Sequence, residues 1–245
     1  MTARPAFRRA IVIRHQGGQV DADLEDDFHR FGVTLRHDGH VVLEVAARAE
    51  RYPWATCLEA PLVLNALKGV QVSADPTALF RHADPRLHCT HLFELAALAL
   101  AQAARGDGSR LFEAEVSDPV DGVRTARLYR DGSLALEWRL AGDVIVAPAA
   151  YSGRALSSFN SRSLADLPPE QAETLLILRR VAQTAKGRLI NVDAFASAAE
   201  MGRPAQCYSL QPANAARATR VKGSVRDWPD REALLSSATS NSQLS

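Results

Sequence analysis

The residues best suited to chemistry stand at the start of the longest apolar run of the chain, where His88, Cys89, Thr90 and His91 are followed by Glu94. His91 and Glu94 are three residues apart, so on a helix the carboxylate lies close enough to orient the imidazole. A buried histidine held by a carboxylate can titrate near the operating pH of an enzyme, as proton abstraction requires. The motif therefore predicts acid–base catalysis, with His91 as general acid or base and Glu94 as its orienting group.

Other side chains can complete such a site. His29 lies on the apolar face of an alternating segment, and we expect it to be a second acid–base group. Tyr151, in a long serine-rich loop, is expected to donate a hydrogen bond to a developing oxyanion. The residues expected to bind the substrate, most of them aromatic side chains that suit a flat ring, are Phe31, Tyr52, Trp54, Cys89, Thr90 and Trp138. The partner they predict is a small aromatic molecule.

No cofactor motif accompanies these residues, since the chain contains no G-x-G-x-x-G, P-loop or G-x-S-x-G sequence. Acid–base catalysis is therefore expected to need no cofactor and no metal. One alternative is a zinc or iron–sulfur protein that uses Cys57, Cys89 and His91, although the long gap between the cysteines matches no compact ligand pair. Catalysis by a Cys89 nucleophile with His91 as base is disfavoured, because residues two apart on a helix point in different directions. A non-catalytic small-molecule-binding protein is the remaining alternative.

The composition excludes several classes of protein. Lysine and arginine number 29 against 28 aspartates and glutamates, which gives a net charge of +1 and no reason to expect nucleic acid or an anionic membrane as partner. No apolar segment has the length of a membrane span, and the N-terminal apolar stretch is too short for a signal peptide, so we expect a cytoplasmic protein. Three cysteines are an odd number, which argues against a disulfide framework. The apolar surface of the later strands favours a homodimer.

The elements that must position these residues follow the order strands, helices, strands, helix. Turns at Asp38-Gly39 and Asp131-Gly132 predict hairpins, in one enlarged sheet or in two related sheets. Strong helix formers predict a buried central helix at about 89–105, closed by Gly106. Leucine spacing predicts another helix from Cys57 to Lys68, with Thr56 as N-cap and Glu59 as its capping-box partner. The fold class is thus α+β, with antiparallel hairpins around the central helix, a single domain over 1–235 and a flexible tail over 236–245.

The motifs Tyr52-Pro53-x-x-Thr56-Cys57, Leu67-Lys68-Gly69 and Cys89-Thr90-His91-Leu92-x-Glu94-Leu95 resemble those of the bacterial domain-of-unknown-function family 2889. The strand at 28–35 looks like the histidine-bearing strand of that family, and the similarity spans roughly residues 8–150. His88 stands where the family usually has glycine, so the resemblance implies no role for His88.

Some relatives in aromatic-degrading bacteria resemble lyases that remove formaldehyde from lignin-derived dimers. The resemblance therefore implies a carbon–carbon lyase of aromatic compound catabolism, with lignin degradation as its setting. Retro-aldol loss of formaldehyde needs a base for the hydroxyl and an acid for the carbanion, which are the groups predicted above.

Overall fold

Eight antiparallel strands form one open sheet in the computed structural model, which describes residues 5–203 and 205–235. The strands are β1 (Ala6–Gln16), β2 (Gln19–Asp26), β3 (Arg30–His37), β4 (Val42–Arg51), β5 (Gly108–Ser117), β6 (Val123–Arg130), β7 (Ser133–Ala141) and β8 (Val144–Ala147). Their order across the sheet is β4-β3-β2-β1-β5-β6-β7-β8. The hairpins predicted from the sequence therefore build one enlarged sheet, with β1 and β5 paired at its centre.

Two long helices, α2 and α4, cover the sheet. The helices are α1 (Ala60–Val63), α2 (Thr90–Arg105), α3 (Ser161–Leu164), α4 (Pro169–Thr184) and α5 (Pro212–Ala215). Helix α2 packs against β1, β2 and β3, and α4 packs against β5, β6 and β7. The predicted α+β class is confirmed. Each half of the chain contributes four strands followed by one long helix, so the second half repeats the plan of the first.

Helix α2 is buried almost all round, as its composition predicts, and packs on the strands that carry the site. Its N-cap is Cys89, in extended conformation, so His91 lies in the first turn. Gly106 follows the last turn with φ of 94°, a backbone conformation that residues other than glycine rarely adopt. The ends of the central helix are thus close to those expected from the sequence.

The helix predicted from Cys57 to Lys68 is wrong. The segment instead forms a 3₁₀ turn at Ala55–Leu58, the single turn α1 and a second 3₁₀ turn at Leu64–Leu67. Thr56 does not cap a helix, because its hydroxyl donates to Ser209 Oγ at 2.8 Å. Glu59 pairs with Arg217 rather than closing a capping box. Leu64 and Leu67 are buried whereas Leu58 and Leu62 are exposed, so the spaced leucines do not form one buried face.

The C-terminal segment crosses the face of the sheet opposite the helices. Leu234 and Leu235 pack with Trp228 against Ala10 and Val12 of β1. The predicted flexible tail at 236–245 lies outside the described residues. Within the described ranges, no helix combines the length and apolarity needed to cross a membrane. On β7 and β8, Leu134, Val144 and Val146 are exposed, and the homodimer expected from these strands stays a prediction.

Candidate active site

A cavity of about 650 Å³ opens where the β2–β3 turn, the first turn of α2, the end of α4 and the segments 201–203 and 205–210 meet. This volume falls within the range of roughly 300–1,000 Å³ typical of small-molecule sites. Aromatic and aliphatic side chains form much of its wall: Phe28, Phe31, Trp54, Val192, Met201 and Leu210. The cavity therefore suits an organic molecule with a flat apolar part.

Asp26, at the end of β2, fixes the histidine of the β2–β3 turn. Its Oδ1 accepts the backbone N–H groups of Phe28 and His29, both at 2.8 Å, and lies 3.0 Å from His29 Nδ1. Its Oδ2 pairs with Arg9 Nη2 at 2.6 Å. Because the carboxylate holds Nδ1, the other ring nitrogen of His29, Nε2, is left to act toward the cavity that His29 lines. This is the base-and-orienter geometry of an acid–base catalyst.

His91, in the first turn of α2, stacks on His29. The two ring centroids are 4.0 Å apart and the planes are inclined by 33°. His91 Nε2 lies 4.0 Å from Asp26 Oδ2 and is buried without a hydrogen-bond partner among the described residues. Burial, with the positive charge that His29 and Arg9 can carry, lowers the pKa of His91 well below 6.5, so its imidazole is neutral at neutral pH.

The depressed pKa of His91 predicts a pH dependence of stability. Below about pH 6.5 the unfolded chain binds a proton at this histidine that the folded protein does not bind. The free energy of unfolding should therefore fall as the pH drops below 6.5, by up to about 1.4 kcal/mol for each pH unit. Urea denaturation at a series of pH values measures this slope. His91→Asn should make the slope shallower by that amount, whereas an identical slope in the variant would contradict the assignment.

Glu94 does not orient His91, in contrast to the prediction from their spacing. Its Oε2 lies 3.3 Å from Arg9 Nη1, and its Oε1 has no partner among the described residues. Arg9 thus bridges Glu94 and Asp26, and the carboxylate that serves the histidines is Asp26. Burial raises the pKa of Glu94, with Arg9 opposing this shift. Glu94 therefore contacts the network of Asp26 through Arg9 and not through His91.

The structure brings some of the predicted site residues to the cavity and leaves others away from it. His29, His91, Phe31, Trp54, Cys89 and Thr90 line its wall. Tyr52 packs against the core outside the wall. Tyr151 packs on Trp138, with ring centroids 5.9 Å apart, and both contact Phe159 beside the other half of the sheet. The predicted oxyanion donor, Tyr151, and the predicted substrate contact, Trp138, are thus not brought to the histidines.

All three cysteines line the cavity. Cys57 Sγ lies 3.3 Å from Ser209 Oγ. Burial raises the pKa of Cys57 to about 12 and also raises those of Cys89 and Cys207, so the groups are thiols at neutral pH. A nucleophilic cysteine and a zinc-binding cysteine both need the thiolate. The protonated state of Cys89 therefore disfavours the cysteine-nucleophile alternative.

A metal ion has one geometrically suitable place in the described ranges, where one ligand atom each from Asp26, His29 and His91 lies within 4.8 Å of the others. The predicted set of Cys57, Cys89 and His91 does not form such a group. The oxygens of Asp26 already accept three N–H groups at Oδ1 and two from Arg9 at Oδ2. A divalent cation would displace these donors and lie beside the Arg9 guanidinium. The donor set therefore fits an acid–base role better than metal ligation.

Three residues of this site were not singled out in the sequence. Asp26 precedes His29 by three residues at a strand end, and this Asp-x-x-His spacing was its available signal. Arg9 pairs with Asp26 only through the register of β1 on β2. Arg180 reaches the cavity from the last turns of α4. Neither arginine carries a local motif, so neither could be found without the tertiary structure.

Comparison of the chain with protein-family models and with curated proteins returns no match. The resemblance to family 2889 therefore stays a prediction that rests on the sequence motifs.

Proposed function

We propose that this protein is a cofactor-independent acid–base lyase that acts on an aromatic metabolite bound in the cavity. The observation that carries the proposal is the hydrogen bond between Asp26 and His29 Nδ1, with the His91 ring stacked on that of His29 at the cavity wall. A carboxylate that holds one nitrogen of an imidazole makes the other nitrogen available as a base and stabilises the imidazolium that forms.

The proposed reaction is the retro-aldol release of formaldehyde from a hydroxymethyl side chain of a lignin-derived dimer. His29 Nε2 removes the hydroxyl proton, the carbon–oxygen bond becomes the carbonyl of formaldehyde, and the adjacent carbon–carbon bond breaks. The electron pair of that bond passes to a carbonyl group on the neighbouring carbon of the dimer and gives an enolate, and the carbon that lost formaldehyde then receives the proton from His29. The reaction needs no oxidant or reductant, so the groups of the cavity suffice.

His91 has a separate role in this scheme. Because the His91 imidazole is neutral, the stacked pair carries only one positive charge, on His29, after His29 takes up the hydroxyl proton. A neutral imidazole can also hydrogen-bond to the substrate hydroxyl. Arg9 and Glu94 hold Asp26 from behind and contribute by keeping the carboxylate in place.

Formaldehyde release tests the proposal directly. The purified protein is incubated with a panel of hydroxymethyl-bearing aromatic dimers, and formaldehyde and the shortened dimer are quantified together. We expect the two products in equal amounts, at a rate that a metal chelator does not change. Binding of dimers without turnover across the panel would support the binding-protein alternative instead. Loss of turnover on chelation, restored by zinc, would support a metal site at Asp26, His29 and His91.

A further inference from the structure

The wall of the cavity carries positive charge and no carboxylate. Its charged side chains are Arg86, Arg180, Lys186 and Arg203, and none of the described residues that line it is an aspartate or glutamate. The chain as a whole is nearly neutral, so this local excess is not a consequence of composition. A cavity lined by one sign of charge attracts ligands of the opposite sign.

Two of these four cations already have partners outside the cavity. Arg86 pairs with Asp84 at 2.7 Å, and Lys186 pairs with Asp143 at 2.8 Å. The guanidinium groups of Arg180 and Arg203 form no hydrogen bond or ion pair with any residue in the described ranges. These two guanidinium groups are therefore available to a ligand.

Arg180 is the better placed of the two, because it is held in α4, whereas Arg203 lies outside the helices and strands. The carboxylate that acts most strongly on the charge of Arg180 is Glu94, whose Oε2 pairs with Arg9 and which forms no ion pair with Arg180 among the described residues. None of the Arg180 nitrogens is among the buried unpaired atoms of the described residues, so the guanidinium is open to the cavity. A ligand anion in the cavity can therefore pair with it without displacing a protein carboxylate.

We propose that Arg180 binds the carboxylate of an aromatic acid, so that the substrate class of the cavity is anionic arenes. The planar guanidinium matches a carboxylate with two parallel hydrogen bonds. The aromatic wall of Phe28, Phe31 and Trp54 accepts the ring of the same molecule. The anionic class narrows the small aromatic partner that the sequence predicts.

This inference rests on the proposed function in one respect, that the cavity is the substrate site. Since His29 and His91 line the same cavity as Arg180, an acid anchored by its carboxylate occupies the space that these histidines face. Binding of a carboxylate and turnover of a dimer can nevertheless be measured separately.

A matched pair of ligands tests the inference. Binding of naphthalene-2-carboxylate and of naphthalene-2-carboxamide to the full chain is measured by isothermal titration calorimetry. Hydrogen bonds to a charged group predict that the carboxylate binds about 10- to 100-fold more tightly than the amide. Arg180→Gln should abolish this preference, and Arg180→Lys, which keeps the charge but not the planar fork, should retain part of it. Arg130→Gln removes the same charge from a residue that pairs with Glu170 outside the cavity, and it should keep the full preference.

Three outcomes would overturn the inference: equal affinity for the two ligands, no binding of either, or a preference that survives Arg180→Gln. Thermal melting of each variant shows whether it is folded. If Arg180→Gln does not fold, the loss of preference is measured in Arg180→Lys instead. If the carboxylate preference depends on Arg180 but no dimer is turned over, the inference stands and the lyase proposal fails. If uncharged dimers are turned over and no carboxylate preference is found, the lyase proposal stands and the inference about Arg180 fails.

Discussion

Replacement of His29 by alanine is expected to lower kcat for formaldehyde release by a factor of about 10² to 10⁴, the usual contribution of a general acid–base group. The loss should appear in kcat because the imidazole acts on the hydroxyl proton during bond breaking. The fold should tolerate the change, since Asp26 keeps the N–H groups of the turn and the Arg9 guanidinium as donors. Initial rates over a range of dimer concentrations measure kcat and KM separately.

His37→Ala is the matched control for this substitution. His37, like His29, belongs to the hairpin built on β3, but its Nε2 lies 3.0 Å from His15 Nε2 at the opposite end of the strand. It does not line the cavity among the described residues. We expect its rate to match that of the unsubstituted protein. A folded His29→Ala variant with undiminished kcat would exclude the mechanism, whatever the control shows.

Much of the architecture could be predicted from local sequence. Alternating apolar residues and Asp-Gly turns identify the hairpins, and helix formers followed by Gly106 identify α2. The pairing of β1 with β5 joins residues about a hundred positions apart, and no local signal specifies it. The prediction of a helix over 57–68 was wrong for another reason. Leucine spacing indicates a helix only where all the leucines share one buried face, and two of these leucines are exposed.

The histidines of the site could be predicted from local sequence, but the carboxylate that orients them could not. His29 and His91 were both identified, one from strand alternation and one from its place at the start of an apolar helix. Their carboxylate was assigned to Glu94 because spacing within a helix is visible in sequence. Arg9 reaches Glu94 and Asp26 from a different strand, and this long-range ion pair decides which carboxylate orients an imidazole.

Two aromatic residues were assigned to the site from their residue type alone, and the structure places them elsewhere. Tyr151 and Trp138 have the chemistry of substrate contacts, and the structure uses them as core packing with Phe159. Residue type indicates what a side chain can do, whereas the strand it stands on determines which half of the sheet it serves. Trp138 on β7 and His29 beside β3 belong to different halves.

Asp26→Asn is expected to cost about 3–5 kcal/mol of unfolding free energy, the usual effect of removing one partner from a buried ion pair. Asp26 and Arg9 have side chains 0% and 1% exposed, so water cannot replace the lost charge. Denaturant unfolding measures the change. Asp23→Asn, the same substitution on the same strand, removes an ion pair with the more exposed Arg48 and should cost only about 0–1 kcal/mol.

A triple substitution separates the structural role of Asp26 from its role in orienting His29. In the Arg9→Met, Asp26→Asn, Glu94→Gln variant all three charges of the buried network are replaced by neutral groups, and the amide oxygen at position 26 can still accept the N–H groups of Phe28 and His29. Replacing a whole buried ion-pair network by neutral groups is often neutral or stabilising. We expect its unfolding free energy to recover most of the loss seen in Asp26→Asn. Turnover should stay low, because His29 Nδ1 no longer has a carboxylate to fix the ring and stabilise its protonated form. Recovery of stability and turnover together would show that Asp26 serves the fold alone, and the acid–base assignment would then lose its orienting group.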